Sequence, residues 1–345
     1  MAWSFEGTIL PAGEPGRVVV GAGEVQPLPG RFALPGLVDA HCHLTVAFDQ
    51  HGPYLDPSLA EPRLGELAAS GVATIRDVGG DRAVTLPLTR EAPRPGWPLV
   101  LAAGRFFAPA QRYFPRMYDP VPAEDLVTAV LAEIDAGARW IKLIADFPQV
   151  EGLRPVPGTS SPTYPPEVVA AVVDAAHAHG VRVAAHSNHP GVAELVAAGI
   201  DSIEHGEELD DDLVRALGRR GGAWTPTLGA IPEIATPGRP LDAGQRPSRT
   251  GLAESLRYLL PLAIESGVTV LTGSDVVGSV WGEVALLAEL GLSPDQALAA
   301  ASTRAQQYLE CADDGSLVSY ATDPRDDPWT LAHPAAVVIR GVRVR

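Results

Sequence analysis

Short apolar runs without polar alternation recur along most of the chain, and each is followed by a polar turn and by apolar residues at helical spacing. Eight such runs occur, over residues 37–45, 72–79, 98–105, 140–147, 181–187, 201–207, 223–228 and 268–275. Uninterrupted apolar strands of this kind are typical of a parallel sheet that helices cover on both faces. The pattern therefore predicts a series of βα units.

Helices are predicted between these runs, and the clearest helical spacing lies over residues 122–137, 165–180 and 252–267. Several of these segments begin at Pro, Ser or Asp and end at Gly, as helix starts and ends prefer. Eight βα units within roughly 240 residues match the unit number and length of a (β/α)8 barrel. The predicted fold class is α/β, with a TIM-type barrel over residues 35–311.

The two ends of the chain have a different pattern. Residues 7–34 and 335–345 alternate apolar and polar side chains between glycine turns, which indicates antiparallel strands. Neither end is long enough to bury a core alone. We therefore predict that residues 1–34 and 312–345 pair into a small β-sandwich-like domain, with the barrel inserted between them.

The composition fits a globular chain of one barrel or two ordinary domains, with 345 residues of which 46% are hydrophobic and 20% charged. No stretch approaches the roughly 20 apolar residues of a membrane span. The start, MAWSFEGTIL, has no basic segment followed by an apolar run, so a secretory leader is not expected. Two cysteines cannot form a disulfide framework. These features favour a cytoplasmic protein, and a homo-oligomer is compatible with them.

The net charge of −16 bears on partners. Nucleic acid binding needs clustered Lys and Arg, and no such cluster is visible, so nucleic acid and membrane surfaces are excluded as expected partners. A small-molecule or peptide-like substrate is expected instead.

Polar side chains stand where several of the apolar runs end, which in a barrel of this kind is where reactive groups lie. His41 and His43 are two residues apart on one strand, so both imidazoles point to the same face and could hold one metal ion. Other such residues are Lys142, His186, His205 and Asp275.

Lys142 lies between Ile141 and Leu143 in an apolar strand, where an unpaired ammonium would cost several kcal/mol. One interpretation is an ion pair with a carboxylate across the barrel, such as Asp146. The other is that Lys142 is deprotonated and carboxylated by CO2, which would create an anion able to bridge two cations. Arg76 and its neighbour Asp77 are expected to pair with each other inside the barrel.

An ordered set of motifs in this chain resembles the amidohydrolase superfamily. The motifs are LPGLVDAHCHL, TIRDVGG, WIKLI, the histidine of the fifth run, DSIEHG and LTGSD. The similarity spans nearly the whole chain and is greatest to the imidazolonepropionase-like branch, which includes prolidase-type dipeptidases and arginine carboxypeptidases.

The resemblance implies a centre of two divalent ions, of the zinc type. It places His41, His43 and Asp275 on one ion. It places His186 and His205 on the other ion, with carboxylated Lys142 as the bridge. The implied reaction is hydrolysis of an amide C–N bond, in a peptide-like substrate or a cyclic amide. A metal-bridging hydroxide would attack the carbonyl carbon, and Asp275 would move its proton to the departing amine.

Two alternatives stay open. The first is a mononuclear centre that would hydrolyse a cyclic amidine or deaminate a heterocycle. Its metal would be held by the histidine pair, the histidine of the fifth run and the aspartate. Such enzymes lack the lysine and place a catalytic Glu near the fifth or sixth run. Here Glu204 precedes His205 and, as its strand neighbour, is predicted to face away. The second alternative is a catalytically silent barrel that still binds metal.

Substrate-binding residues are predicted on the loop over residues 106–120, because strand-to-helix loops set specificity in barrels. The candidates are Arg112, Tyr113 and Arg116 on that loop, with Asn188 and His189 after the fifth run. The two arginines could bind an acidic or peptide-like group, or the loop could be a lid that packs on itself. Dipeptide-cleaving relatives often have Tyr where this chain has Asn188, which argues against simple dipeptidase activity.

Overall fold

In the computed structural model, each of the eight apolar runs contains a strand. The structure describes residues 1–90, 94–231, 234, 251–311 and 314–345. Its strands are β1 (Ala2–Ile9), β2 (Glu14–Gly21), β3 (Val25–Pro27), β4 (Phe32–Pro35), β5 (Leu37–Cys42), β6 (Val46–Asp49), β7 (Gly52–Leu55), β8 (Val72–Asp77), β9 (Leu99–Ala102), β10 (Phe106–Phe107), β11 (Trp140–Ile144), β12 (Asp146–Phe147), β13 (Val150–Glu151), β14 (Arg154–Pro155), β15 (Ser161–Pro162), β16 (Arg182–Ser187), β17 (Ser202–His205), β18 (Ala223–Thr225), β19 (Thr269–Val270), β20 (Leu317–Tyr320), β21 (Ala336–Ile339) and β22 (Val342–Arg343).

The three helices with the clearest sequence pattern are confirmed, as α3, α4 and α7. The described helices are α1 (Ala60–Ala69), α2 (Arg82–Arg90), α3 (Leu126–Asp135), α4 (Pro166–Ala178), α5 (Val192–Ala198), α6 (Asp211–Arg219), α7 (Leu252–Glu265), α8 (Val280–Glu289), α9 (Pro294–Ala300) and α10 (Thr303–Tyr308). None of these helices is both long and apolar enough to cross a bilayer.

The eight runs form a TIM-type barrel. Two sets of parallel strands, in the orders β5-β8-β9 and β10-β11-β16-β17-β18-β19, make its wall. The amide of Arg139 donates to the Ala102 carbonyl at 2.9 Å, which links β9 to the start of β11. The amide of Ala40 donates to the Thr272 carbonyl at 2.8 Å, which links β5 to the segment after β19. These backbone bonds join the two sets at both edges, because an open edge would leave polar groups unpaired.

The barrel strands are buried on both faces, and the two faces enter different clusters. Ile141 and Val183 pack outward into the large core beneath the helices. Trp140 and Ala184, one position away in the same strands, belong to a smaller cluster that fills the barrel interior. Strand alternation therefore assigns Lys142, two residues after Trp140, to the interior.

Both ends of the chain contribute to one seven-stranded sheet, in the order β2-β1-β4-β20-β21-β22, with β3 paired to β1. Val337 and Ile339 pack into the large core. Val338, which points the other way, joins a separate apolar cluster with Trp3 and Phe5. The sheet is thus tied to the barrel through one face. The division into 1–34 with 312–345 and 35–311 stays a prediction, and residues 312 and 313 lie outside the described residues.

Shortening Val338 is expected to destabilise the protein, because its side chain is 0% exposed and Val338→Ala would leave a cavity. The expected loss is about 2 kcal/mol of unfolding free energy. Val19→Ala, the same change in the same sheet at a side chain that is 50% exposed, should stay within about 0.5 kcal/mol of the parent. Urea denaturation measures both, and equal losses would contradict this account of the sheet.

Candidate metal centre

Six polar side chains from four strands and from the segments that follow β5 and β19 surround one cavity of about 210 Å³. They are His41, His43, Lys142, His186, His205 and Asp275. The rest of the lining, called here the aromatic wall, consists of Val46, Phe48, Pro53, Tyr113, Phe114, Met117, Phe147 and Val276. All six candidate metal-binding side chains therefore lie around the same space.

The first two imidazoles are each held through the ring nitrogen that faces away from the cavity. His41 Nδ1 donates to Glu204 Oε2 at 2.5 Å, and His43 Nδ1 donates to the Gly79 carbonyl at 2.8 Å. A Cβ at Gly79 would lie 2.6 Å from the Phe106 ring, so only glycine lets this carbonyl approach His43. Each Nε2 is thereby left as a lone-pair donor toward the cavity.

The second pair of imidazoles lies across the cavity. His205 Nδ1 bonds to Thr227 Oγ1 at 2.6 Å, and because Thr227 Oγ1 donates to the Pro226 carbonyl it accepts from the imidazole. The His186 and His205 rings are 4.6 Å apart between centroids. Three of the four histidines thus have the tautomer that a metal ligand needs.

Burial keeps the imidazoles of His41, His186 and His205 neutral. It lowers the pKa of His41 to about 4, with the charge of Lys142 as the second cause. It also lowers the pKa of His205 to about 3 and that of His186 well below its usual range. Neutral imidazole is the form that binds a metal cation, so these histidines do not have to lose a proton before they could bind one.

Asp275 is positioned by strand β5. Its amide donates to the His41 carbonyl at 2.7 Å, and its backbone has a φ of 52°. Asp39 accepts from the Ser274 amide at 3.0 Å and from Ser274 Oγ at 2.5 Å, which fixes the residue before it. Asp275 Oδ1 then lies 3.4 Å from His43 Nε2 and 4.0 Å from His41 Nε2.

The carboxyl group of Asp275 is ionised in this position. Burial alone would raise its pKa, but the neighbouring side chains of His43, His41 and His205 hold the pKa well below its ordinary value. The site therefore contains a carboxylate among imidazole side chains, which is an appropriate mixture of donors for a divalent cation.

Lys142 is the only lysine in the chain. Its side chain is 2% exposed, and its Nζ has no hydrogen-bond partner within the described residues. Burial lowers the pKa of this amine to about 8. The ion pair with Asp146 is not present, since Asp146 accepts the Asn188 amide at 3.1 Å instead. An isolated buried amine is costly, and carboxylation would remove that cost.

The residues present fit divalent cations. Donor atoms of His41, His205 and Asp275 all lie within 4.8 Å of one another. Imidazole nitrogens, a carboxylate and an unpartnered amine that can become a carbamate form a donor set that suits Zn²⁺.

Beneath the centre, a buried ion pair departs from two of our predictions. Arg76 pairs with Glu204 at 2.8 Å, whereas the predicted Arg76–Asp77 pair is wrong. Asp77 instead accepts the amides of Leu44 and Gly79. The prediction that Glu204 faces away is also wrong, since its carboxylate is 0% exposed and bonds to His41.

The reason is a break in strand alternation. Glu204 occupies the inward position of β17, so His205 would point outward if the strand continued. His205 instead has a φ of 66°, which turns its imidazole back into the mouth of the barrel. Glu204 and His205 therefore both face the interior, and the backbone angle of His205 is the reason.

Arg76 is held by several groups in addition to Glu204, although its Nη1 has no hydrogen-bond partner among the described residues. Its Nε donates to the Ala40 carbonyl at 2.5 Å, and its guanidinium carbon lies 4.5 Å from the centroid of the Trp140 ring. Its charge and the hydrogen bond from His41 hold the pKa of Glu204 below its ordinary range, although burial alone would raise it. The carboxylate of Glu204 is therefore shared between a structural arginine and a candidate metal ligand.

The predicted substrate-binding residues divide into two groups. Tyr113 lines the cavity, whereas Arg112, Arg116, Asn188 and His189 are not among the side chains that line it. Arg112 donates to the carbonyls of Phe147 and Ser161, and Arg116 binds both oxygens of Asp49. These two guanidinium groups hold loops together.

Asp39, Thr227 and Glu204 support the centre, and sequence reasoning assigned none of them to it. Asp39 and Glu204 had a signal, because each is an acidic residue inside an apolar run. Thr227 had none, because only the fold brings it beside His205.

Removing the charge of Glu204 is expected to destabilise the fold strongly. Glu204→Gln leaves the guanidinium of Arg76 buried without its counter-ion, with a loss of about 3–5 kcal/mol. Glu61→Gln, which breaks an exposed pair with Arg94, should cost less than about 1 kcal/mol. Chemical denaturation of both variants measures this, and similar losses would show that the buried pair is not a structural requirement.

Comparisons with known proteins agree with this geometry. The model of the Amidohydrolase family matches residues 32–318. An uncharacterized protein of Mycobacterium tuberculosis is 33% identical over 330 residues, covering 90% of this chain and 85% of its own. An imidazolonepropionase of Salinispora arenicola is 26% identical over 328 residues, covering 84% of this chain and 75% of its own.

The fold has close counterparts among solved structures. A Xaa-Pro dipeptidase with methionine bound in its active site aligns with a TM-score of 0.78 at 21% identity, over 99% of both chains. The family match spans most of the chain and includes all six side chains around the cavity. The chain therefore belongs to the amidohydrolase family.

Proposed function

We propose that the protein is a metal-dependent hydrolase that cleaves an amide C–N bond in a small-molecule or peptide-like substrate. The observation that carries this proposal is the convergence of four histidines, a lysine and an aspartate on one cavity. The outer nitrogens of three imidazoles are fixed by hydrogen bonds, and this prior orientation is typical of ligands that must bind metal without reorganising.

We infer two metal ions, of the zinc type, with Lys142 carboxylated between them. His41, His43 and Asp275 would hold one ion. His186 and His205 would hold the other. When bound, such ions supply Lewis acidity that polarises a carbonyl and acidifies water. The unpartnered Lys142 amine supports the bridge, because the carbamate would use an atom that otherwise has no role.

Asp275 would move the proton. Its Oδ1, beside His43 Nε2, would take a proton from the attacking water as the new C–O bond forms, and would deliver it to the nitrogen as the C–N bond breaks. His41 and His43 keep this carboxylate oriented. The proton therefore passes from the water to the leaving amine through a single atom.

A mononuclear deaminase is less well supported. Such an enzyme needs an acidic side chain in contact with substrate, and Glu204 is not among the residues that line the cavity. It lies beneath the centre, between Arg76 and His41. Its carboxylate is therefore suited to positioning His41 and not to transferring a proton to a bound ring.

The first experiment addresses hydrolysis itself. Protein loaded with Zn²⁺ would be assayed against a panel of N-acyl amino acids, dipeptides, anilides and cyclic amides, with metal content measured on the same sample. About two ions per chain and hydrolysis of at least one class are expected. One ion per chain would favour the mononuclear alternative, and two ions without any hydrolysis would favour the silent barrel.

Replacing Lys142 should remove both the carbamate and one ion. After equilibration with carbon-13 bicarbonate, the parent protein is expected to give two carbamate resonances, from Lys142 and from the terminal amine, since no other lysine exists. Lys142→Gln should keep only the terminal one and bind one metal ion or fewer. Identical spectra of the two proteins would contradict carboxylation at Lys142.

Asp275→Asn is expected to lower kcat by at least about 100-fold, because the amide cannot accept the proton. Asp174→Asn, on the exposed face of α4, removes the same charge far from the cavity and should leave kcat unchanged. Steady-state kinetics on the best amide of the panel measures both. Activity of Asp275→Asn close to that of the parent would refute the proton-transfer role.

A further inference from the structure

The lining of the cavity has two chemically different parts. The candidate metal ligands form one part, and the aromatic wall forms the other. Within the wall, the side chains of Phe48, Phe114, Met117 and Phe147 carry no hydrogen-bonding group, and the hydroxyl of Tyr113 is the one such group among the described wall residues. Tyr113 packs edge-to-face on both Phe114 and Phe147, with centroids 5.3 and 5.1 Å apart. The wall is therefore a packed aromatic surface.

The nearby arginines do not supply this wall with charge. Arg112 is bound to the carbonyls of Phe147 and Ser161 and to the Ser161 hydroxyl. Arg116 forms a two-point ion pair with Asp49 and donates to the Gly52 carbonyl. Its guanidinium carbon lies 5.0 Å from the centroid of the Tyr54 ring. Freeing either guanidinium would break these charge-assisted bonds.

Among the described residues of the wall, a substrate carboxylate would therefore meet no lysine or arginine. Lys142, the one lysine in the lining, belongs to the candidate metal ligands and is inferred above to be carboxylated. The scissile carbonyl has to approach these ligands. A carboxylate beside the scissile bond would then lose its water against aromatic rings, which is strongly unfavourable.

The size of the cavity sets a second limit. Its volume is about 210 Å³. A dry apolar cavity of about 150 Å³ holds a benzene molecule, so one ring with a small substituent fits here. Phe48, which is 56% exposed, extends the apolar surface outward at the mouth.

We propose that the aromatic wall selects neutral amides that carry an aromatic or branched apolar group beside the scissile bond, and that it rejects substrates with a free carboxylate at that place. The inference rests on the amide hydrolysis proposed above and adds the substrate class. It assigns specificity to Phe48, Tyr113, Phe114, Met117 and Phe147 rather than to the arginines of the same loop.

A matched pair of compounds tests this. N-acetyl-L-phenylalanine and its amide differ only in a carboxylate against a carboxamide of the same size, and 4-acetamidobenzoate and 4-acetamidobenzamide form a second such pair. Acetate release would be followed with the metal-loaded protein. For the neutral member of each pair, kcat/KM should be roughly tenfold higher or more. Equal values, or a preference for the carboxylate, would overturn the proposal.

Binding decides the question if neither pair is hydrolysed. Calorimetric titration of the metal-loaded protein with the same four compounds measures recognition when no turnover occurs. The carboxamides are expected to bind at least about tenfold more tightly than the carboxylates, a difference of about 1.4 kcal/mol. Equal or tighter binding of the carboxylates would overturn the inference, whereas a missing activity would count against the proposed function alone.

An added cation at the mouth should reverse the preference. Phe48→Lys places an ammonium at a lining residue that is 56% exposed, where the change is compatible with folding. Phe48→Met has a similar length without the charge and is the matched control. The ratio of carboxylate to carboxamide affinity is expected to rise about tenfold in Phe48→Lys and to stay constant in Phe48→Met. An unchanged ratio in both variants would contradict the role of the wall.

Discussion

The buried guanidinium of Arg76 is the constraint on which the barrel interior depends. A charge with 0% exposure is tolerated only when it is paired and hydrogen-bonded, and Glu204 supplies the counter-charge. The carbonyl of Ala40, the hydroxyls of Ser202 and Thr225 and the face of Trp140 also contact the group. Five strands are thereby linked through a single side chain.

The same pair also sets the chemistry of the centre. Because Glu204 is fixed by Arg76, its other oxygen is available to hold His41 in one tautomer and one orientation. Asp39 does the equivalent for the segment that carries Asp275. Stability and the proposed metal binding therefore depend on the same groups, since the side chains that stabilise the interior also orient the candidate ligands.

The cavity is lined by the candidate ligands and by the aromatic wall, and the loops that carry the wall are held by residues outside the cavity. Arg112 and Arg116 lie behind the wall and bind backbone carbonyls and Asp49. The charge of these arginines led us to predict substrate contact. Both guanidinium groups are instead engaged in hydrogen bonds that hold the loops of the aromatic wall together. What remains for a substrate on this side is aromatic surface.

The eight strands and the six candidate ligands could be predicted from the sequence, because both depend on local pattern: apolar runs form strands, and polar residues at strand ends meet in a parallel barrel. The terminal sheet was visible for the same reason, in the alternation of its strands. Only the tertiary structure decided which charged side chains pair with one another and which side chains line the cavity. Glu204 lies at the inward position of β17, and His205 faces the interior as well because it adopts a left-handed backbone angle. Arg76 pairs with Glu204, 128 positions away, and not with its neighbour Asp77. Such choices depend on distances between strands and on desolvation inside the closed barrel, neither of which exists before the chain is folded.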